Sequence, residues 1–154
     1  MSGITNKDLE KLSRKFFTRD FLGVFPCDVI PNSKKRRTCV IFNLSKHDEA
    51  GSHFVAIIKH ERKIVYFDSF GKQCENKYLN KYIHNYKLPI EYNKNQIQDD
   101  NSSLCGYYCF YFLYICFLQR RSLTFFINKF EKSKKYLMKN DRKLLHYITK
   151  ILEI

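Results

Sequence analysis

The segment from Cys105 to Arg121, CGYYCFYFLYICFLQRR, places the hardest constraint on the fold. It is apolar all the way round, and a helix without a polar face has to be covered by other structure on every side. Its apolar part is too short for a membrane span of about 20 residues, so it reads as the buried centre of a globular domain. Asp99 and Asp100 precede it and Arg120 and Arg121 close it, the order of charges that a helix dipole favours. The rest of the chain must wrap this rod.

Three strand-like runs supply the wrapping: TCVIFNL (Thr38 to Leu44), HFVAIIK (His53 to Lys59) and KIVYFD (Lys63 to Asp68). They are rich in β-branched and aromatic residues and are separated by the turn-prone stretches SKHDEAGS and HER, which predicts a sheet of consecutive hairpins. LPIEY, Leu88 to Tyr92, adds one more strand, with Pro89 restricting it to an edge or a strand start. Leu9, Leu12, Phe16 and Phe17 follow the helical period over Asn6 to Phe17, with Thr5 or Asn6 as N-cap. Ser122 to Phe130 and Asp141 to Glu153 read as two closing amphipathic helices. In FLGVFPCDVIPN, residues Gly23, Pro26 and Pro31 read as punctuation. No repeat, low-complexity linker or second domain interrupts the pattern. Residues 1 to 154 therefore form one domain, of a size that buries roughly two-thirds of its unfolded surface.

Lysine and arginine number 28 against 15 acidic residues, a net charge of +13. A chain this basic associates with polyanions through phosphate contacts and counterion release, unless the charge serves mainly to keep an aromatic-rich protein soluble. The basic run SKKRR, with Lys34, Lys35, Arg36 and Arg37, is either such a phosphate patch or a solvated loop. The six cysteines form no C-x-x-C pair and read as reduced thiols of a reducing compartment. No Cys/His pair has zinc-finger spacing, so no metal is expected. MSGITNKDLEKLSRKF lacks the apolar stretch of a secretory signal, and the expectation is a protein that stays inside the cell or in a particle assembled there.

Cys105 stands at the predicted start of the buried helix, where free N–H groups and the dipole stabilise a thiolate. In isolation a cysteine in an apolar run is a small core residue, as Cys109 and Cys116 are. A thiolate nucleophile needs a base, and the base needs an orienting carboxylate. His53 begins one strand and Asp68 ends the next, so an antiparallel pair joined by the HER turn brings both to one edge of the sheet. His47, His60, His84 and His146 carry no such pairing. Gln98 lies in the loop before Cys105, where a side-chain amide and the Cys105 N–H can share a developing oxyanion. Charge and polarity do not separate Gln98 from Gln96.

The order G-S-H-F, Y-F-D-S-F-G and Q-D-D-N-S-S-L-C-G-Y-Y-C closely resembles the adenovirus maturation proteases (adenain). In the last motif Gln98, Asn101, Ser102, Cys105 and Gly106 match the family's Q-x-x-N-S-x-x-C-G. D-F-L-G-V-F at Asp20 to Phe25 and C-V-I-F-N at Cys39 to Asn43 look like that family's N-terminal segment, and the likeness extends from about Phe21 to Leu118. The order His, Asp, Gln, Cys also marks the wider superfamily of SUMO and other ubiquitin-like-protein proteases, whereas papain-type enzymes place the cysteine first.

The resemblance implies an α+β (α/β) fold: a mixed, mainly antiparallel sheet flanked by helices, with the nucleophile on the central buried helix. It implies a catalytic set of His53, Asp68, Gln98 and Cys105. The implied activity is that of a viral cysteine endopeptidase cutting capsid or other virion precursors at Gly-Gly-X type sites, with no cofactor required and with stimulation by DNA or a viral peptide. It further implies a monomer located in the virion and at the host-cell assembly site. Virophages, polinton-like elements and other adenovirus-related DNA viruses are the expected sources. The chain departs from the family at Phe54, where Trp is usual, and at Asp68, where adenovirus enzymes carry Glu. No cysteine between Cys74 and Cys105 is present to carry a covalent link to an activating peptide. Two alternatives stand beside this reading: an isopeptidase removing ubiquitin-like modifiers, and a catalytically silent, basic DNA-binding virion protein.

Overall fold

A computed structural model describes residues 2–153 of the chain. Its centre is a five-stranded sheet in the order β1-β2-β3-β4-β5, formed by β1 (Phe21–Pro26), β2 (Thr38–Asn43), β3 (Phe54–Lys59), β4 (Ile64–Phe67) and β5 (Ile90–Tyr92). The β2–β3–β4 pairs are antiparallel, and each edge strand joins in parallel, β1 to β2 and β5 to β4. The hairpins expected from the three β-rich runs are present. The mixed character comes from the two edges.

Strand β1 occupies the FLGVFP segment, whose Gly23 and Pro26 read as punctuation in the sequence. At an edge, a strand tolerates both, because proline's missing N–H withdraws nothing from an interior ladder. Pro89 precedes β5, as expected of an edge strand, and its carbonyl accepts from the Ile64 N–H at 2.9 Å. The crossover from β4 to β5 contains helix α2 (Lys77–His84), which the sequence reading does not include. Its N-cap is Asn76, whose side chain accepts from Tyr78 and Leu79 N–H.

Both faces of the sheet are covered, which is why β2, β3 and β4 read as nearly unbroken apolar runs. Cys39, Ile41, Ala56, Ile58, Val65 and Phe67 face one core. Val40, Phe42, Val55, Ile57, Ile64 and Tyr66 face the other, which α2 closes with Leu79, Tyr82 and Ile83. Across the first core lies α3 (Cys105–Phe112), continued by a wider π-helical stretch, Leu113–Leu118. Phe112 stacks on Phe67 with ring centroids 4.6 Å apart. Helix α1 (Asn6–Phe17), capped by Thr5, and the short α4 (Leu123–Ile127) and α5 (Asn140–Leu152) complete the cover. The aromatic rod is thus enclosed, as its composition requires. Among the described residues no helix is long and apolar enough to cross a membrane.

Candidate active site

The register of the central hairpin decides where His53 and Asp68 go. Ala56 pairs with Phe67, so the residue range that opens β3 and the one that follows β4 lie at the same end of the sheet. His53 Nε2 meets Asp68 Oδ1 there at 2.8 Å, with the two side chains 13% and 5% exposed. Cys105 lies beside the ring and interacts with it as well. Burial works against a charged ring, yet the hydrogen bonds to Asp68 and Cys105 prevail and raise His53 to about 9. Phe70 stacks on the imidazole at 4.5 Å. A histidine held between a carboxylate and a thiol at the water's edge is equipped to move a proton.

Each of these side chains is fixed from behind. Phe70 N–H donates to Asp68 Oδ1 at 2.8 Å, so the carboxylate oxygen facing His53 is doubly bonded. Asn93, buried beyond β5, accepts from Asp68 N–H at 3.0 Å and donates to Asp68 C=O at 2.6 Å. On the other side, Asn43 Oδ1 accepts from the N–H groups of Ser45 and Ser52, and His53 C=O accepts from Leu44 N–H. That ties down the turn entering β3.

Cys105 is the first residue of α3, and the N-cap residue before it, Leu104, has no side chain that could bond the helix's leading N–H groups. Gly106 is required by packing: a Cβ there would lie 2.6 Å from an Ile4 methyl and 3.2 Å from both Leu9 and Phe54. Phe54 thus fills the space against the nucleophile helix, where the resemblance leads one to expect Trp. Gly71 is required by conformation, with φ at +73° and the Asn95–Gln96 backbone pressed against it. The D-S-F-G and C-G pairs are therefore places where two loops and a helix approach too closely for a side chain.

Gln98 is fully buried, and it is not one of the residues lining the groove beside Cys105. The Ile97 and Gln98 N–H groups both donate to Ser69 C=O, and the Ser69 hydroxyl donates to Gln98 Oε1. Gln98 Nε2 in turn donates to Ser102 C=O at 3.0 Å and Ser102 Oγ at 3.3 Å. Gln96 is different: it is half-exposed, and its amide bonds Gln98 C=O and the Asp100 carboxylate. The structure therefore puts His53 in direct contact with Asp68, places Cys105 beside the ring, and buries Gln98 between Ser69 and Ser102. Asn93 escaped the sequence reading because an isolated polar residue carries no periodicity; Asn43, Ser69 and Ser102 were visible in the motifs but without a role.

A groove of about 580 Å³ opens onto Cys105 between the N-terminal segment and the turn entering β3, lined by Gly3, Asn6, Asn43, Gly51 and Ser103 among others. The basic run lies away from it. Lys34 is exposed, Lys35 and Arg36 pair with Asp20 and Glu61, and Arg37 turns inward. Its guanidinium lies 3.8 Å over the Phe117 ring and donates to Phe117 C=O. Among the described residues no group of three or more His, Cys, Asp or Glu is placed to hold a metal ion.

No protein-family model matches the chain. A protease of Bovine adenovirus 4 is 28% identical over 143 residues, a match covering 81% of this chain and 70% of that protein. A crystal structure of the ASFV protease superposes with a TM-score of 0.61 at 16% identity, covering 94% of this chain and 68% of that one. The second likeness is one of fold, and the first carries the resemblance in sequence. In sequence and in fold, this chain is similar to adenain-like viral cysteine proteases.

Proposed function

We propose that the chain is a viral maturation endopeptidase that cleaves capsid or other virion precursor proteins at Gly-Gly-X type sites by acyl transfer through Cys105. The observation that carries this reading is the imidazole of His53 held between Asp68 Oδ1 at 2.8 Å and the Cys105 thiol. His53 takes the thiol proton, and the thiolate attacks the scissile carbonyl. The tetrahedral oxyanion is met by the Cys105 N–H and by Gln98 Nε2, which gives up its longer bond, the one to Ser102 Oγ. His53 returns the proton to the leaving amine, then draws one from the water that hydrolyses the thioester. Asp68 keeps the ring oriented and its positive charge balanced throughout.

The groove beside Cys105 receives the residues preceding the cut. In the same proposal the enzyme works as a monomer, in the virion and at the assembly site, with no cofactor. DNA or a viral peptide stimulates it, and Lys34, Lys35 and Arg36 supply the DNA contacts. Arg37 serves the fold instead.

The test is co-expression of the chain with the major capsid protein of the same genome, read by intact mass. A cut next to a Gly-Gly pair that disappears with Cys105→Ala is the expected result. Loss of the cut with both forms, in the presence of DNA, would reject capsid processing. Activity on ubiquitin-like conjugates in its place would transfer the same chemistry to an isopeptidase.

A further inference from the structure

Helix α5 begins some distance along the chain from every residue named above, yet its first two residues reach into the loop that carries Gln98. Asn140, fully buried, donates from Nδ2 to Ile97 C=O at 2.7 Å and to Glu131 C=O at 2.8 Å, and its Oδ1 accepts from Glu131 N–H at 2.8 Å. Asp141 Oδ1 accepts two hydroxyls, Ser102 Oγ at 2.8 Å and Tyr108 OH at 2.9 Å. One end of α5 thus holds the loop before Gln98, the serine after it and the second turn of the nucleophile helix.

The direction of these bonds matters more than their number. A carboxylate can only accept, so it commits the Ser102 hydroxyl proton to itself. Ser102 Oγ is then left as an acceptor, which is how it meets both Gln98 Nε2 at 3.3 Å and Leu104 N–H at 3.2 Å. At the far end, the Ser69 hydroxyl donates to Gln98 Oε1. The chain Asp141, Ser102, Gln98, Ser69 therefore has one polarity, and together with Ser102 C=O, which accepts from the same Nε2 at 3.0 Å, it turns the amide nitrogen of Gln98, rather than its oxygen, toward Ser102. Freed from the carboxylate, the Ser102 hydroxyl can rotate and donate to the amide, leaving Ser102 C=O as the one group on that side that still opposes a flipped Gln98 presenting its carbonyl oxygen to an oxyanion.

We propose that Asp141 is a positioning residue for the oxyanion donor, acting through Ser102 to fix which way the Gln98 amide points. This rests on the reading of Gln98 given above. The test uses the full chain with Asp141→Ala, Asp141→Asn and Ser102→Ala. Three readouts are taken: turnover of a Gly-Gly peptide amide of coumarin, affinity for the matching peptide aldehyde, and alkylation of Cys105 by iodoacetamide. The aldehyde adduct places an oxyanion in the site, whereas alkylation develops none.

Asp141→Ala should lower kcat by about 10- to 100-fold, below the roughly 10²- to 10³-fold of deleting such a donor outright. KM should stay within about twofold, and aldehyde affinity should fall in parallel with kcat. The alkylation rate and its pH profile should be unchanged. Asp141→Asn, whose side-chain oxygen still accepts both hydroxyls, should recover most of the loss, and Ser102→Ala should reproduce it.

Wild-type kcat and aldehyde affinity in Asp141→Ala would overturn the proposal. So would turnover and alkylation declining together, which would make Asp141 a residue of the fold alone. If Asp141→Ala does not fold, unchanged aldehyde affinity in Ser102→Ala overturns it equally. A wild type that is alkylated at Cys105 but cleaves no Gly-Gly peptide would instead reject the assignment of the site, and this inference with it.

Discussion

Asn93 is the residue whose removal tests most directly how the site depends on its support. It accepts from Asp68 N–H at 3.0 Å and donates to Asp68 C=O at 2.6 Å and to Asn95 C=O at 3.3 Å, while Asp68 itself is only 3% exposed. Asn93→Ala leaves the buried Asp68 N–H without its partner, at a cost of about 1–3 kcal/mol, while Asp68 C=O still accepts from Gly71 N–H at 2.8 Å. The expected loss is about 1–3 kcal/mol, a sizeable share of the roughly 5–15 kcal/mol that holds a domain of this kind together. With a urea dependence of about 2 kcal/mol per molar, the unfolding midpoint should fall by about 0.5–1.5 M. The protein that remains folded should turn over more slowly, by about tenfold, because the carboxylate is no longer held against the imidazole. Urea unfolding followed by circular dichroism, with peptide turnover at low urea, measures both. A loss of under about 0.5 kcal/mol with normal turnover would refute the argument that Asn93 sets the position of Asp68.

Because the Asp68 and Cys105 hydrogen bonds outweigh burial and raise His53 to about 9, the imidazolium persists through neutral pH, and kcat/KM should decline as pH rises through about 9. Asp68→Ala should move that limb to lower pH. The linkage to stability has the sign of a raised histidine: the stabilisation is complete below the ordinary value of 6.5 and is lost as pH climbs through about 9, which urea midpoints across that window would record. Arg37→Ala removes both the cation–π contact with Phe117 and the hydrogen bond to its carbonyl. It should cost about 1–2 kcal/mol in unfolding experiments while changing DNA affinity less than Lys34→Ala does.

What the sequence made legible was whatever repeats with a period or obeys local chemistry. The β-branched runs located β2, β3 and β4, and with them the end of the sheet where His53 and Asp68 meet. Thr5 announced the start of α1 and Pro89 the edge position of β5. Strand β1 was obscured because Gly23 and Pro26, which break an interior strand, are harmless at an edge. Helix α2 was missed since eight residues offer barely two turns in which Leu79, Tyr82 and Ile83 can declare a face. The polar supports were invisible for a different reason. Asn93, Asn140 and Asp141 act on residues 25 to 43 positions away, and no spacing rule links a lone asparagine to its partner. Gln98 was found by its motif, yet its burial behind Ser69 and Ser102 follows from tertiary hydrogen bonds alone.

The attachment of α5 to the Gln98 loop has a consequence for the order in which the protein becomes competent. A ribosome makes His53, Asp68 and Cys105 well before it reaches Asn140 and Asp141, and the β2–β3–β4 meander needs only nearby chain to form. Nucleophile and base can therefore approach each other on an emerging chain while the loop between them still lacks its anchor. On the reading proposed above, a thiol able to react exists earlier than an enzyme able to turn over. On that reading the closing helix is the last part of the site to arrive.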